Sequence, residues 1–425
     1  MPTRSEVSYF GAGPAPLPHK VIEAGASAFV NYEDSGLSLA EISHRSPTAT
    51  KILAETKSAL TYLLDIPDNY EILFMHGGGS GEFSAVVFNL VAMWVEKRRR
   101  EAEKELGNQQ APIIQRVRKE ISEELRLDYL VTGSWSLKAS QEAANLLEPL
   151  GKGFVNVAAD ARASNGGKFG SIPPENEWNL TPSKSAFVYY CDNETVDGVE
   201  FPSFPRSLES KPNEDERIVV ADMSSNFLSR PIDVKKHAVI FSGAQKNIGI
   251  TDVTLVIVRK EVLTTVPSPS FLHAVGVWSP PVVLSWPTIA KNDSLYNTMP
   301  IFSIWIAGEV LRGLISAYGT SKVAGQEAVS NAKAQTIYQI LDANPNVYQP
   351  VNSRNVRSRM NICFRVMNPE CEKEFLAGAE ERMLQGLKGH RSVGGIRISN
   401  YNAVPMSSIE KLAGYLVEFA QRKTD

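Results

Sequence analysis

HAVIFSGAQKNIGITDVTLVIVRK, residues 237–260, contains two continuous apolar runs separated by a turn of small and polar residues. Runs without alternating polar positions are typical of strands covered on both faces, as in a largely parallel sheet. A lone lysine is ordinarily a solvated surface residue. Lys246, however, follows Ser242, Gly243 and Ala244, which leave room for a ligand, and a partly desolvated lysine is a better nucleophile. The stretch therefore predicts a sheet with a candidate nucleophile at the end of one strand.

The same organisation recurs along the chain. YEILFMH (70–76) precedes GGGSG (77–81), after which apolar residues recur at the spacing of one helix face. These apolar runs, together with those at 237–260, predict an α/β fold with a mainly parallel central sheet flanked by helices. The other strand candidates are LDYLVTG (127–133), GFVNVAAD (153–160), AFVYYCD (186–192) and RIVVADMS (217–224).

After about residue 317 the pattern changes to a smaller α+β domain. Residues 321–342 and 407–423 are predicted to be amphipathic helices, and residues 356–366 and 394–400 to be strands. We therefore predict a large domain over 18–316 and a small domain formed by 1–17 and 317–425. The segment 96–126 is dense in both charge signs and is predicted to be a solvated helical insertion, with a basic docking surface as the alternative.

Composition excludes several classes of function. The 425 residues are 43% hydrophobic and 21% charged with a net charge of −3, which argues against a general nucleic-acid or membrane-surface binder. Three cysteines without a CxxC spacing fit a reducing compartment, and six scattered histidines predict no metal site. The first residues lack the apolar stretch of a signal peptide, so we expect a cytoplasmic protein.

Four strand ends carry side chains that suit one ligand, although each has an ordinary structural alternative. The GGGSG turn offers backbone amides at a helix N-terminus to a phosphate, or merely makes a tight turn. Asp222 is either a helix cap or the partner of a protonated ring nitrogen. Trp135 is either core or an aromatic face for stacking, and Thr195 lies in a turn-forming loop. With Lys246 these features favour pyridoxal 5′-phosphate, which has a phosphate, a basic ring nitrogen, an aromatic face and an aldehyde.

Several longer motifs narrow the interpretation to one family. The motifs are FGAGPAPLP (10–18), EISHRS (41–46), LFMHGGGSGEFSAV (73–86), NETVDG (193–198), ADMSSNFLSRPIDV (221–234), SGAQKNIG (242–249), NTMP (297–300), SRMN (358–361) and KGHRSVGGIR (388–397). In their order along the chain, they resemble the phosphoserine aminotransferases, fold-type-I pyridoxal-phosphate enzymes of the class-V aminotransferase group. The resemblance implies an α/β large domain that binds the cofactor, a smaller α+β domain and a homodimer.

The resemblance also implies roles for individual residues. Lys246 is the lysine that forms the Schiff base with pyridoxal phosphate, and Asp222 is the partner of the ring nitrogen. Trp135 stacks on the ring and Thr195 bonds near its phenolic oxygen. The residues that hold the phosphate are Gly79, Ser80 and Gln245, joined by Asn297 and Thr298 of the second subunit.

For the substrates, the resemblance makes Arg397 the clamp of the α-carboxylate. His44 and Arg45 of the partner chain, with His390 and Arg391, meet the distal anion. Glutamate and 3-phosphohydroxypyruvate each carry an α-carboxylate at one end and an anion at the other, so one pocket serves both. The implied reaction gives 2-oxoglutarate and O-phospho-L-serine, a step of serine biosynthesis. Each arginine could alternatively form a surface ion pair.

The chain departs from the family pattern at two places, and three alternative functions remain. Ser80 stands where several members of the family have arginine, and the charged segment 96–126 is longer than expected. A serine–pyruvate or alanine–glyoxylate aminotransferase would have no use for the two His-Arg pairs. A desulfurase needs a mobile catalytic cysteine, whereas Cys191, Cys363 and Cys371 lie in strand-like or helix-edge contexts. A regulatory nucleotide-binding protein would leave Lys246 without a role.

Overall fold

A computed structural model describes residues 2–182, 185–210 and 216–424. The strands are β1 Ser8–Tyr9, β2 Tyr70–Met75, β3 Leu127–Val131, β4 Val155–Asp160, β5 Phe187–Cys191, β6 Asn193–Glu194, β7 Val199–Glu200, β8 Val219–Asp222, β9 Val239–Gly243, β10 Thr254–Arg259, β11 Tyr348–Pro350, β12 Asn361–Val366, β13 Leu384–Gln385 and β14 Ile396–Ser399. The α-helices are α1 His19–Val30, α2 Pro47–Leu64, α3 Gly78–Leu106, α4 Gln110–Glu124, α5 Ser134–Leu147, α6 Lys260–Thr264, α7 Pro269–Ala274, α8 Trp286–Lys291, α9 Ile301–Tyr318, α10 Lys322–Ala343, α11 Pro369–Glu381 and α12 Met406–Thr424.

The seven apolar runs predicted as strands form one sheet in the order β2-β10-β9-β8-β5-β3-β4. Neighbours are parallel except β10, which runs antiparallel to both β2 and β9. The predicted α/β class with a mainly parallel sheet is therefore confirmed. The antiparallel strand follows from the short connection 244–253 between β9 and β10, because a parallel neighbour needs a crossover of about a dozen residues or more.

Both faces of this sheet are buried, which explains the continuous apolar runs. Along β2, Ile72 and Phe74 point into one core, and Leu73 and Met75 into the other. The first core is built with α1, α2 and α9, and the second with α3, α4 and α5. The helical stretch Ile301–Ala343 is long and apolar enough to cross a membrane, yet half of its most apolar window is buried inside the fold, as in a core helix.

A third core lies under the sheet β11-β12-β14, where α10, α11 and α12 pack. The N-terminal segment joins it, since β1 pairs with β13 and Phe10 is fully buried among these residues. Burying Phe10 removes a large aromatic side chain from water and is worth roughly 2 kcal/mol. The division into two domains stays a prediction, but this contact places the first residues against the C-terminal part of the chain.

Segment 96–126 is helical, as predicted. It is not solvated on all sides, however, because one face of it is buried. α3 continues to Leu106, and α4 folds back against it and buries Ile113, Val117 and Ile121. The charges pair on the remaining surface, for example Arg116 with Glu120 at 2.8 Å. These apolar residues recur at helical spacing and cover the second core, but the many charges around them make the pattern hard to recognise in the sequence.

Candidate active site

The carboxyl ends of several strands surround a cavity of about 240 Å³. β3, β5, β8 and β9 are parallel neighbours, so their carboxyl ends meet at one edge of the sheet, where ligands bind in open α/β folds. Seven of the residues predicted to bind the cofactor line this cavity together. They are Gly79, Ser80, Trp135, Thr195, Asp222, Gln245 and Lys246.

The glycine turn after β2 forms an anion cradle. Gly77 and Gly78 have φ values of 98° and 63°, a left-handed conformation that glycine adopts without strain. α3 begins at Gly78, and within the described residues no side chain caps it. The amides of the first turn, including Gly79 and Ser80, can therefore donate to an anion in the cavity.

Asp222 presents a buried carboxylate to the same cavity. Its Oδ1 accepts from the Ser224 amide at 2.9 Å and its Oδ2 from the Tyr189 hydroxyl at 3.5 Å, both uncharged donors. Burial raises the pKa of Asp222, opposed by these hydrogen bonds and by the charge of Lys246. A carboxylate in this setting is stabilised by a cationic ring N–H, which makes Asp222 suited to a pyridinium partner.

Lys246 lies in the turn directly after β9, as its sequence position predicts. The Gly249 amide closes this turn on the Ala244 carbonyl at 2.7 Å. A Cβ at Gly243 would lie 2.4 Å from Gln245 Oε1, so the glycine leaves room for the glutamine side chain. Lys246 Nζ donates to the hydroxyl of Tyr401 at 3.0 Å. The turn thus aims the amine into the cavity and towards a residue that the sequence did not single out.

Trp135 is held by a carboxylate at the start of α5. Glu194 accepts from the amides of Trp135 and Ser136 at 2.8 and 2.9 Å, and Asp197 accepts from the Ser134 amide at 2.6 Å. Burial, followed by the neighbouring Asp197, raises the pKa of Glu194. The NETVDG loop therefore caps α5, the helix that carries Trp135. From the sequence, this loop was predicted only to form a turn.

Gly133 makes this capping possible, and its replacement should disturb the aromatic face. A Cβ at Gly133 would lie 2.3 Å from Glu194 Cγ, although φ is an ordinary −170°. We expect Gly133→Ala to displace Glu194, to lower the free energy of unfolding by about 1–3 kcal/mol and to weaken cofactor retention. Gly313→Ala in α9, where a Cβ meets open space, is the matched control. Thermal unfolding and retention of visible absorbance on dialysis measure both effects; equal results for the two variants would contradict the prediction.

Arg397 reaches the cavity wall from β14. The side chain is buried, and its Nη1 donates to the carbonyl of Thr195 at 3.3 Å. His390 lies nearby: burial lowers its pKa, as do the positive charges of Arg397, Lys138 and Arg391, in that order. Three of the predicted substrate residues thus share one cationic region of the same chain. Lys138, which the sequence did not single out, places Nζ 4.2 Å from the centre of the Trp135 ring.

The remaining predicted residues lie elsewhere in the chain. His44 and Thr298 line a separate cavity of about 700 Å³, while Arg45 is exposed and Asn297 half-buried. His44 Nε2 is buried without a hydrogen-bond partner among the described residues. The two cavities share Gly77, so these residues lie near the glycine turn without entering the first cavity.

Sequence reasoning missed several residues that line the first cavity. Asn193, Ser224 and Ser225 are neighbours of predicted residues in the NETVDG and ADMSSN motifs, and that adjacency was the available signal. Cys191 also lines the cavity, but burial raises the pKa of its thiol well above the usual range, so it stays protonated at neutral pH. The strand position of Cys191 and its burial agree with rejection of the desulfurase.

The residues present fit pyridoxal phosphate. The uncapped helix start suits its phosphate, and Asp222 suits its ring nitrogen. The Trp135 face suits the ring, and the amine of Lys246 suits the aldehyde. The buried carboxylate of Asp222 is the most specific of these, because burying a carboxylate is costly and a cationic ring N–H beside it offsets that cost.

Comparison with known proteins agrees with this site. The family model "Aminotransferase class-V" matches residues 7–120 and 162–412. Phosphoserine aminotransferase of Saccharomyces cerevisiae is 40% identical over 423 residues, covering 99% of this chain and 98% of the yeast protein. The chain belongs to the phosphoserine aminotransferase family of class-V aminotransferases. The enzyme of the same name from Drosophila melanogaster is 39% identical, covering 96% of this chain and 97% of its own length.

Solved structures of phosphoserine aminotransferases share the fold over nearly the whole chain. The structure from Bacillus circulans subsp. alkalophilus has a TM-score of 0.79 at 34% identity and covers 97% of this chain and 98% of its own. The pyridoxal-phosphate-bound structure from Trichomonas vaginalis has a TM-score of 0.79 at 33% identity, covering 96% and 99%. An alanine–glyoxylate aminotransferase from Nostoc sp., at 12% identity and a TM-score of 0.60, shares the fold alone.

Proposed function

We propose that this chain transfers the amino group of L-glutamate to 3-phosphohydroxypyruvate with pyridoxal phosphate as cofactor, forming 2-oxoglutarate and O-phospho-L-serine. The observation that carries the proposal is the meeting of Lys246, Asp222 and Trp135 in one cavity beside the buried Arg397. Full-length similarity to phosphoserine aminotransferases supports the same activity. The chain is thus an aminotransferase whose substrates are small molecules.

Each residue of the cavity has its own role in the proposed reaction. Bound pyridoxal phosphate supplies an aldehyde that exchanges amino groups and a ring that withdraws electrons from the substrate carbon. The α3 amides, with Ser80 and Gln245, would hold the phosphate, and Asp222 would keep a proton on the ring nitrogen. Trp135 and Thr195 fix the ring's orientation. Lys246 Nζ would take the proton from the Cα of glutamate in one half of the exchange and deliver a proton to the Cα of the new amino acid in the other half, as a general base and acid.

Substrate recognition relies on two cationic regions. Arg397 pairs with the α-carboxylate in a bidentate fashion, and its contact with Thr195 ties this clamp to the cofactor side of the cavity. His390 and Arg391, with His44 and Arg45 of a second chain, receive the distal phosphate or carboxylate. An alanine–glyoxylate aminotransferase has substrates without a distal anion, so the two His-Arg pairs favour the phosphorylated acid.

Visible absorbance during sequential additions tests this function. Glutamate should bleach the absorbance of the bound cofactor, and after removal of excess glutamate 3-phosphohydroxypyruvate should restore it. Unphosphorylated hydroxypyruvate should restore it at least about 10²-fold more slowly, because charge-assisted hydrogen bonds to the phosphate are lost. Arg391→Gln should reduce this discrimination, with exposed Arg354→Gln as control. Equal rates with the two acids would favour a broader class-V aminotransferase.

We also propose that the active unit is a homodimer. An apolar groove lined by Leu17, Phe29, Val30 and Phe302 carries side chains that are unusually exposed, with Phe29 at 56% and Val30 at 77%. Phe302 also lines the cavity of His44 and Thr298, so the groove adjoins the residues that lie outside the first cavity. A second copy on this face would cover the groove and bring His44, Arg45, Asn297 and Thr298 to its partner's cofactor site.

Mixed dimers test the exchange of residues between chains. Co-expressed Lys246→Ala and Arg45→Gln chains should recover roughly a quarter of wild-type activity, because half of the dimers are mixed and each has one intact site. Lys246→Ala with Arg397→Gln is the matched control, since Arg397 contacts Thr195 of its own chain and no mixed site is intact. Equal activity from both mixtures would contradict a shared site, and a monomer in sedimentation would contradict the dimer.

We further propose a cytoplasmic location. The three cysteines are all free, and Cys191 and Cys363 are buried as neutral thiols. Free thiols persist where the cell keeps them reduced. Fractionation of source cells with a cytoplasmic marker tests the location.

A further inference from the structure

The amine of Lys246 has a partner outside the motifs that define the family. Tyr401, two residues beyond the end of β14, is fully buried, and its hydroxyl accepts from Lys246 Nζ at 3.0 Å. The Nζ atom lies 5.2 Å from the centre of the Tyr401 ring. The Tyr401 hydroxyl therefore lies within hydrogen-bond distance of the amine that moves protons in the proposed reaction.

The hydrogen-bond network behind Tyr401 has a fixed direction. The Met360 and Asn361 amides both donate to Ser358 Oγ, so the serine proton goes to Asn193 Oδ1 at 2.5 Å. Asn193 Nδ2 then donates to Asn361 Oδ1 at 2.9 Å. This orients the Asn361 amide so that Nδ2 faces Tyr401 and donates to its hydroxyl oxygen at 3.2 Å.

The direction of this network leaves the proton of Tyr401 for Lys246. Because Asn361 donates to the phenol oxygen, that oxygen acts as an acceptor there, and the O–H of Tyr401 stays available as a donor. The hydroxyl can donate to Nζ when the amine is neutral and accept from Nζ when it is an ammonium. Both protonation states of Lys246 therefore have a partner at the same point.

Two further contacts fix Tyr401 relative to Lys246. The buried Lys333 donates to the carbonyls of Tyr401 and Val404 at 2.8 and 2.9 Å. Asn247, the neighbour of Lys246, accepts from the Asn402 amide at 3.0 Å. The turn that carries the phenol and the turn that carries the amine are thus joined directly.

We propose that Tyr401 is a positioning residue for the amine of Lys246: its hydroxyl holds the free amine in place for cofactor capture and for proton transfer at the substrate Cα. The inference rests on the proposed function and adds a residue to it. The proton passes between the substrate carbon and Nζ, and Tyr401 only exchanges hydrogen-bond roles with Nζ as the nitrogen gains or loses it.

Tyr401→Phe tests the inference with a minimal change of shape. We expect the cofactor-free full chain to take up pyridoxal phosphate about tenfold more slowly, followed as growth of visible absorbance, with the same final spectrum. In the loaded enzyme the rate of bleaching by glutamate should fall roughly 10- to 10²-fold, while the KM for glutamate changes less than threefold. The isotope effect with α-deuterated glutamate should increase, because proton transfer becomes more rate-limiting.

Tyr348→Phe is the matched control. Tyr348 is also fully buried, and its hydroxyl donates to the Leu416 carbonyl at 2.7 Å in the third core, far along the chain from Lys246. It should lower thermal stability as Tyr401→Phe does, but leave uptake rate and isotope effect unchanged. If Tyr401→Phe does not fold, Asn361→Ala removes the donor behind the phenol and should slow the same steps about three- to tenfold.

The possible outcomes separate the two proposals. The role of Tyr401 alone would be overturned if Tyr401→Phe kept uptake and bleaching rates within twofold of wild type and an unchanged isotope effect. If Tyr401→Phe does not fold, the same result for Asn361→Ala would overturn it. Wild-type protein whose absorbance does not respond to glutamate would overturn the proposed function, and the role of Tyr401 with it. Slow uptake together with a larger isotope effect would support both.

Discussion

Lys246→Ala is expected to lower kcat by about 10⁴-fold or more, because the variant lacks both the nucleophile and the general base. The protein should still bind pyridoxal phosphate, since the α3 amides, Asp222 and Trp135 are unchanged, but with an altered visible spectrum. Steady-state turnover of glutamate with 3-phosphohydroxypyruvate, together with cofactor content, measures the effect.

The control for this variant is Lys373→Ala, which removes an exposed lysine on α11. It should retain activity within the error of the assay. Turnover by Lys246→Ala within tenfold of wild type would remove the lysine from the reaction. Loss of cofactor without a change of fold would show that the other contacts are insufficient.

Asp222→Asn should have the second-largest effect, a loss of roughly 10²- to 10³-fold in kcat, because a charge that stabilises the ring proton is replaced by a neutral amide of the same shape. Burial raises the pKa of Asp222 despite the nearby charge of Lys246, so its carboxylate gains further stabilisation from that proton. The expected spectroscopic sign is a shifted visible band, measured alongside the rates of both half-reactions.

Glu82→Gln offers a matched isosteric control in α3. Burial raises the pKa of Glu82 to about 8, so its carboxyl is already mostly neutral at pH 7 and the substitution removes little charge. Its Oε2 accepts from Trp286 Nε1 at 3.2 Å, outside the cavity. Activity should stay within threefold of wild type; equal losses in both variants would mean that buried carboxyls act through stability alone.

The sequence predicted the sheet well because burial on both faces leaves a continuous apolar signature. Its strand order and the antiparallel β10 depend on turn geometry and packing, which leave no comparable signature. The charged segment 96–126 misled for the opposite reason: a stripe of residues such as Ile113 and Val117 lies among many charges. Local composition thus indicates where elements are, and tertiary contacts decide what they cover.

The candidate site shows the same division. Lys246 and Asp222 stand at strand ends where a polar residue after an apolar run is conspicuous. Tyr401 could not be identified this way, because 155 positions separate it from Lys246 and an aromatic residue after a strand usually means core. Glu194 could not be identified either, because it lies in a turn-forming loop. Nothing in the local sequence indicates that it caps a helix about 60 residues earlier in the chain.

Pairing between β1 and β13 has a consequence for synthesis on the ribosome. The partner of Ser8 and Tyr9 lies more than 370 residues further along the chain. At 5–20 residues per second, that strand is made roughly 20 to 75 seconds later. Throughout this interval Phe10 is an apolar residue without its final core, whereas the seven-stranded sheet can assemble once β10 has been made. Nascent chains halted after α9 but before residue 384 should therefore have a folded central sheet and a protease-sensitive N-terminal segment.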